Sequence, residues 1–138
     1  MKTILFPGSF DPFTIGHENL VKRVLPVFDK VVVAVGVNSD KHYLFSAKER
    51  VERIVRCFAD EPKVKVVCFS DMTVDCCHRE EAGYILRGVR DVMDMEYEQI
   101  MASVNYQLDD SIETIVLFAN PAFINVSSTL EREKLLHK

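Results

Sequence analysis

No tryptophan occurs in the 138 residues, and glycine and proline number only five each. So few chain breakers exclude a collagen-like or low-complexity chain, and no internal repeat marks a solenoid. No apolar run approaches the roughly 20 residues of a membrane span. The longest runs from Val31 to Val37. No secretory signal is expected either: Pro7-Gly8 and Asp11-Pro12 interrupt the apolar N-terminus, and no small-residue cleavage site follows. There is no basic excess either, since 21 acidic residues face 17 Lys plus Arg. That balance argues against nucleic acid as a partner but leaves room for a small anion held by a few placed cations. No CxxC pair exists for zinc or redox chemistry.

Four cysteines are present, at positions 57, 68, 76 and 77. Cys76-Cys77-His78 is a poor ligand set, because consecutive residues on a helix diverge by about 100°. All four read as buried, reduced thiols of a protein in a reducing, cytoplasmic compartment. Apolar residues make up 48% of the chain, and the formal charge is only −4. Such a chain folds, and this length suits a single domain over residues 1–138. A domain near this size buries roughly 68–70% of its unfolded surface, so no disulfide or metal staple is required.

Apolar runs alternate with helical patterns. Thr3–Phe6, Val31–Val37, Val64–Phe69, Tyr84–Leu86 and Thr114–Phe118 read as strands. Their Val/Ile enrichment without strict alternation suits strands buried on both faces of a parallel sheet. Between them, His17–Phe28 places Leu20, Val21, Val24, Val27 and Phe28 on one stripe. Ser46–Phe58 opens with a capping box from Ser46 to Glu49, and Ser128–Leu136 with another from Ser128 to Glu131. Asp94–Leu108 carries Met95, Ile100, Met101 and Val104 as apolar positions that serve either the core or an oligomer contact. Five strands with crossovers of helical length predict an α/β, Rossmann-like, doubly wound parallel five-stranded sheet with right-handed connections.

In such a sheet ligands bind beyond the carboxyl ends of the strands. Four chemically unusual segments fall there. After the first strand, Pro7 to His17 supplies Gly8 and Gly16 for close backbone approach, a hydroxyl on Ser9, and a helix start suited to phosphate. Thr14 and His17, three apart, face one point. After the second strand, Asn38 to His42 supplies Lys41, while His42 reads as a surface histidine. After the fourth, Leu86-Arg87-Gly88-Val89-Arg90 offers two guanidinium forks to phosphate oxygens. After the fifth come Val126, Ser127, Ser128 and Thr129, an N-cap cluster that also suits an anion. Any of these residues alone is explained by a cap, a solvated loop or a surface ion pair; all four segments together are not.

The string GSFDPFTIGH, Gly8 to His17, resembles the T/HxGH signature of the nucleotidyltransferase superfamily. With Thr14 in place of a first histidine, it is most similar to the phosphopantetheine adenylyltransferase family. The family's (I/L)RGxR segment and acidic-aromatic stretch are matched by Leu86 to Arg90 and Asp94 to Glu98, and its turn after the third strand by Phe69-Ser70-Asp71. The resemblance implies transfer of AMP from ATP to 4′-phosphopantetheine, giving dephospho-coenzyme A and pyrophosphate with Mg²⁺, by direct in-line attack with no covalent intermediate. It implies His17 and Lys41 as catalytic. It implies ATP contacts from Ser9, Phe10, Thr14, Gly16, His17, Gly88, Val89, Arg90, Glu98, Val126, Ser127, Ser128 and Thr129. Acceptor contacts would come from Ser9, Lys41, Thr73 and Arg87, with no residue serving as a metal ligand. A homohexamer and feedback binding of coenzyme A are implied as partners, with no nucleic acid and no membrane. Two rivals stay open: a cytidylyl- or nicotinate-mononucleotide adenylyltransferase, and a non-catalytic nucleotide-binding module.

Overall fold

The computed structural model describes residues 1–124 and 127–136. Five strands, β1 (Thr3–Gly8), β2 (Lys30–Gly36), β3 (Val64–Phe69), β4 (Tyr84–Val89) and β5 (Glu113–Phe118), form one sheet in the order β3-β2-β1-β4-β5, all parallel. The connecting helices are α1 (Ile15–Val24), α2 (Ala47–Cys57), α3 (Thr73–Glu80) and α4 (Val92–Leu108). A 3₁₀ turn (Pro121–Phe123) and α5 (Ser128–Leu136) follow β5. This is the doubly wound α/β sheet that the residue pattern predicts.

The central strands carry the core on both faces. Val31 to Val35 of β2 are fully buried, and burying each such valine is worth roughly 1.5–3 kcal/mol. Their alternation divides the core. Ile4, Phe6, Val31, Val33 and Val35 pack with Leu20, Val21 and Val24 of α1 and Ile54 of α2. Leu5, Val32, Ala34 and Ile85 pack on the opposite face with Val74, Cys76 and Cys77 of α3.

Three details depart from the sequence reading. Helix α1 stops at Val24 rather than Phe28, because Pro26 has no N–H to continue the ladder; Val27 is consequently 60% exposed. Helix α3 occupies a crossover for which the sequence gives helical length but no bounded helix. It is eight residues long, lacks a side-chain cap, and buries only Val74, Cys76 and Cys77. Only the last two cysteines are buried; Cys57 and Cys68 are exposed, because α2 and the edge strand β3 turn those positions outward. Burial pushes the Cys77 thiol up to about 12, so it is inert.

The strand order reverses direction between β1 and β4. Their ladder holds only two register pairs, Ile4↔Tyr84 and Leu5↔Ile85, against six in β1·β2, β2·β3 and β4·β5. Beyond Leu5 and Ile85 the two strands part, and the carboxyl-end crevice opens there.

Candidate active site

The chain leaves β1 at Gly8 and turns sharply. Phe10 adopts a left-handed backbone (φ 50°), a conformation a non-glycine residue holds only when its surroundings enforce it. Its ring folds back edge-on to Phe6 at 5.1 Å and lies over Gly8, where a Cβ would stand 2.8 Å from the ring. Gly8 is therefore needed for packing against Phe10. The following turn delivers Thr14 as N-cap of α1, with His17 at the third helical position.

Thr14 and His17 form a reciprocal capping box. The Thr14 backbone N–H donates to His17 Nδ1 at 2.9 Å, and the His17 N–H donates to Thr14 Oγ1 at 3.4 Å. Because Nδ1 accepts an amide hydrogen, the neutral ring carries its proton on Nε2. The imidazole is enclosed by Phe10 and Phe13, with ring centroids 5.0 and 5.3 Å away. Desolvation, reinforced by the positive charges of Arg87 and Arg90, pushes His17 down to about 4. At neutral pH it is a fixed, uncharged hydrogen-bond donor. Signatures that read as catalytic thus also cap the helix.

Two clefts meet at this point, with volumes of ≈ 340 and ≈ 370 Å³. The first runs between β2, α3 and α4; Asn38, Tyr43, Asp71, Thr73, Tyr97 and Asn105 line it. The second lies over the N-terminus of α1; Phe10, Thr14, Gly16, His17, Gly88, Arg90 and Ser127 to Thr129 line it. Six residues line both: Pro7, Gly8, Ser9, Lys41, Arg87 and Glu98. At that junction Lys41 Nζ donates to Ser9 Oγ at 3.1 Å.

Arg87 spans the parted strands. Its Nη1 donates to the Pro7 carbonyl at 2.7 Å, while Nε and Nη2 form a bidentate pair with the Glu98 carboxylate at 2.7 and 2.8 Å. Glu98 is the one buried residue of α4. The pair orients a planar fork at the junction of the clefts. Arg90 pairs through Nε with Asp94 at 3.1 Å.

The structure thus gathers nearly all of the expected residues, with two exceptions. Val89, at the end of β4, is buried and lines neither cleft, although it shares the face of the strand that carries Arg87. Val126 lies outside the described residues. The hydroxyl cluster is also partly engaged: Ser127 Oγ caps α5 by accepting from the Leu130 N–H, and Ser128 Oγ donates to the Pro12 carbonyl at 2.7 Å.

Sequence reasoning missed Arg132. This residue lines the second cleft, donates to the Asp11 carbonyl at 2.7 Å and to Thr129 Oγ1 at 3.1 Å, and so ties α5 to the loop after β1. Its signal was present in Ser127-Ser128-Thr129-Leu130-Glu131-Arg132, a cation one helical turn beyond the hydroxyls.

Comparison with known proteins places these residues in a family. The cytidylyltransferase-like family model matches residues 5–134. The phosphopantetheine adenylyltransferase of Phocaeicola vulgatus is 47% identical over 135 residues, 98% of this chain and 89% of that protein. The enzyme of the same name from Flavobacterium johnsoniae is 43% identical over 99% of this chain and 90% of its own length. Among solved structures, a bifunctional NMN adenylyltransferase/ADP ribose pyrophosphatase from Francisella tularensis superposes with a TM-score of 0.73 at 18% identity. That match covers 96% of this chain and 41% of that one, and establishes likeness of fold. The chain belongs to the cytidylyltransferase-like nucleotidyltransferases and, among them, to the phosphopantetheine adenylyltransferase family.

Proposed function

We propose that the protein transfers AMP from ATP to 4′-phosphopantetheine, in the cytoplasm, as a step of coenzyme A synthesis. In this reading ATP takes the second cleft and the acceptor the first. An oxygen of the acceptor phosphate attacks the α-phosphorus, the bond to the β-phosphate oxygen breaks, and pyrophosphate leaves. The nucleophile is already anionic, so no general base and no covalent intermediate is needed. Catalysis then rests on positioning and on donors aimed at developing charge.

The observation that carries this reading is the junction of the two clefts. His17 lies on the nucleotide side as a neutral donor, and Lys41, Ser9 and Arg87 lie where both clefts meet. His17 Nε2–H and the amides at the start of α1 serve the α-phosphate oxygens. Lys41 balances charge between the two reactants, Arg87 holds the acceptor phosphate, and Arg90 holds the ATP phosphates. Thr73 at the start of α3 serves the acceptor chain.

Among the described residues, no group of three His, Cys, Asp or Glu side chains converges to hold a metal. The carboxylates lining the nucleotide cleft, Asp94 and Glu98, are both ion-paired with arginines. This donor set suits a Mg²⁺ ion that arrives with ATP and keeps phosphate and water ligands. When bound, it would neutralise the leaving pyrophosphate.

Assembly into a homohexamer and feedback by coenzyme A belong to the same proposal. Support for assembly comes from α4, where Met93, Tyr97, Ile100, Val104 and Leu108 form an exposed apolar stripe. These positions leave the core without being replaced by polar residues. Among the described residues, no helix is long and apolar enough to cross a membrane.

Pyrophosphate release is the decisive assay. The expected result is release that requires ATP, Mg²⁺ and 4′-phosphopantetheine together. Release with CTP or nicotinate mononucleotide instead would retain the superfamily and discard the substrate. ATP binding without turnover would favour a binding module.

A further inference from the structure

Helix α2 contains an arginine that the proposed chemistry does not use. Arg50 is only 2% exposed, lines neither of the two clefts, and has three carbonyl oxygens as acceptors. Its Nη1 donates to Ser9 O at 2.8 Å and to Gly36 O at 2.9 Å, and its Nε donates to Phe45 O at 3.2 Å. One guanidinium therefore holds the loop after β1, the carboxyl end of β2 and the far end of the segment carrying Lys41. Its Cζ also lies over the Tyr43 ring, 3.9 Å from the centroid.

The Tyr43 hydroxyl in turn accepts the Asn38 N–H at 3.0 Å. Asn38 begins the turn in which Lys41 N–H donates back to Asn38 O at 3.0 Å. The buried carboxylate of Asp11 closes the same segment from the other side, accepting from Leu44 N–H and Phe45 N–H at 2.8 Å each. The segment from Asn38 to Phe45 has no helix or strand of its own. These bonds and the stacked ring fix its backbone.

We infer that Arg50 is the positioning residue for Lys41: through Tyr43 and Asn38 it sets the turn that carries the ammonium, and through Ser9 O it sets the hydroxyl that the ammonium meets. Both halves of the Lys41–Ser9 contact are thereby referred to one buried, planar group. A lysine at position 50 retains the charge but supplies neither the fork nor the stacking plane. The inference rests on the role assigned to Lys41 in adenylyl transfer.

Two readouts test it. Hydrogen exchange on the unliganded protein follows residues 38–45 in the wild type, Arg50→Lys and Tyr43→Phe. Steady-state kinetics compares Arg50→Lys alone, Lys41→Ala alone, and both together. The expected result is lost protection at residues 38–45 in both variants, joined by the loop around Ser9 in Arg50→Lys alone. It also includes a drop in kcat of about 10- to 100-fold for Arg50→Lys, with KM for ATP changed less than about threefold. In the Lys41→Ala background, Arg50→Lys should have almost no further effect, because the two residues act as one unit. An equal loss in both backgrounds, or unchanged protection of residues 38–45, overturns the inference. Tyr43→Phe leaves the guanidinium in place and frees only the Asn38 amide, so it decides the matter if Arg50→Lys does not fold. If Lys41→Ala alone leaves kcat unchanged, the inference falls with the role of Lys41. Absence of turnover by the unmodified protein would reject the assigned reaction instead, and exchange alone would then decide the clamp.

Discussion

Replacing His17 by asparagine and by glutamine separates the two tasks this side chain performs. Asparagine places an amide oxygen near the position of Nδ1, so it can still accept the Thr14 N–H that now donates at 2.9 Å. It has nothing near Nε2. Glutamine serves one position at a time: extended, its amide N–H stands near the Nε2 position, and turned back, its Oε1 accepts the Thr14 N–H as in an ordinary capping box. In either case residue 17 still donates its backbone N–H to Thr14 Oγ1. Loss of one donor aimed at developing charge in a water-poor site costs about 10²–10³ in kcat, or roughly 3–4 kcal/mol. Loss of the reciprocal bond from the Thr14 N–H costs no more than roughly 1 kcal/mol of stability and leaves the chemistry alone. His17→Asn should thus lower kcat by about 10²–10³ with a near-normal melting temperature. His17→Gln should melt close to the wild type and retain more turnover than His17→Asn. Pyrophosphate release and thermal denaturation measure the two effects independently. If His17→Asn keeps kcat within about threefold of the wild type, the donor role is refuted.

The same histidine sets a pH dependence. Its ordinary value is 6.5, and burial in the fold holds it at about 4. The unfolded chain therefore takes up a proton that the folded chain refuses between those limits. Stability is intact above pH 6.5, declines as pH falls toward 4, and levels off below. The depression corresponds to roughly 3 kcal/mol. Both His17 variants should lose this part of the slope, and denaturant titrations at pH 7 and pH 4.5 would show it.

Other expectations follow from the same geometry. A Cβ at Gly88 would stand 2.4 Å from Leu20 Cδ1, so Gly88→Ala should overpack β4 against α1 and cost about 1–3 kcal/mol by denaturant titration. Adding Leu20→Ala should lessen that penalty. Arg87→Met leaves the Glu98 carboxylate buried without its partner and should destabilise by about 3–5 kcal/mol while also weakening acceptor binding, read by calorimetry. Ile100→Glu in the exposed stripe of α4 should lower the oligomeric mass in sedimentation; unchanged mass would move the assembly surface elsewhere. Chelating divalent ions should abolish turnover and leave the melting temperature unchanged, since no protein cage for a metal is found among the described residues.

Much of the fold was legible because the buried strands are written in valine and isoleucine. Val31 to Val35 leave little alternative to a central strand. Helix α3 was less so, since its buried face is one valine and two cysteines and its cap is Met72, which supplies no side-chain cap bond. In the site, Thr14 and His17 were legible because a cap and its third helical residue are neighbours in sequence. The Arg87–Glu98 pair was not, because it depends on how α4 settles against β4. Arg50 sits among charges in Lys-Glu-Arg-Val-Glu-Arg and reads as a surface residue. Its one clue is that it stands four positions before buried Ile54, on the face of α2 turned toward the core.

The short ladder between β1 and β4 makes the sheet two half-sheets sharing a seam. One half is β3-β2-β1 and the other β4-β5, and two register pairs join them directly. Arg87 adds a side-chain rung across the gap where backbone rungs have stopped. A ligand seated in that gap touches both halves at once and acts as a staple. Its binding free energy therefore adds to the cohesion of the seam, by RT ln(1 + [L]/Kd). Occupancy of the site and integrity of the sheet are in this way the same equilibrium viewed from two sides.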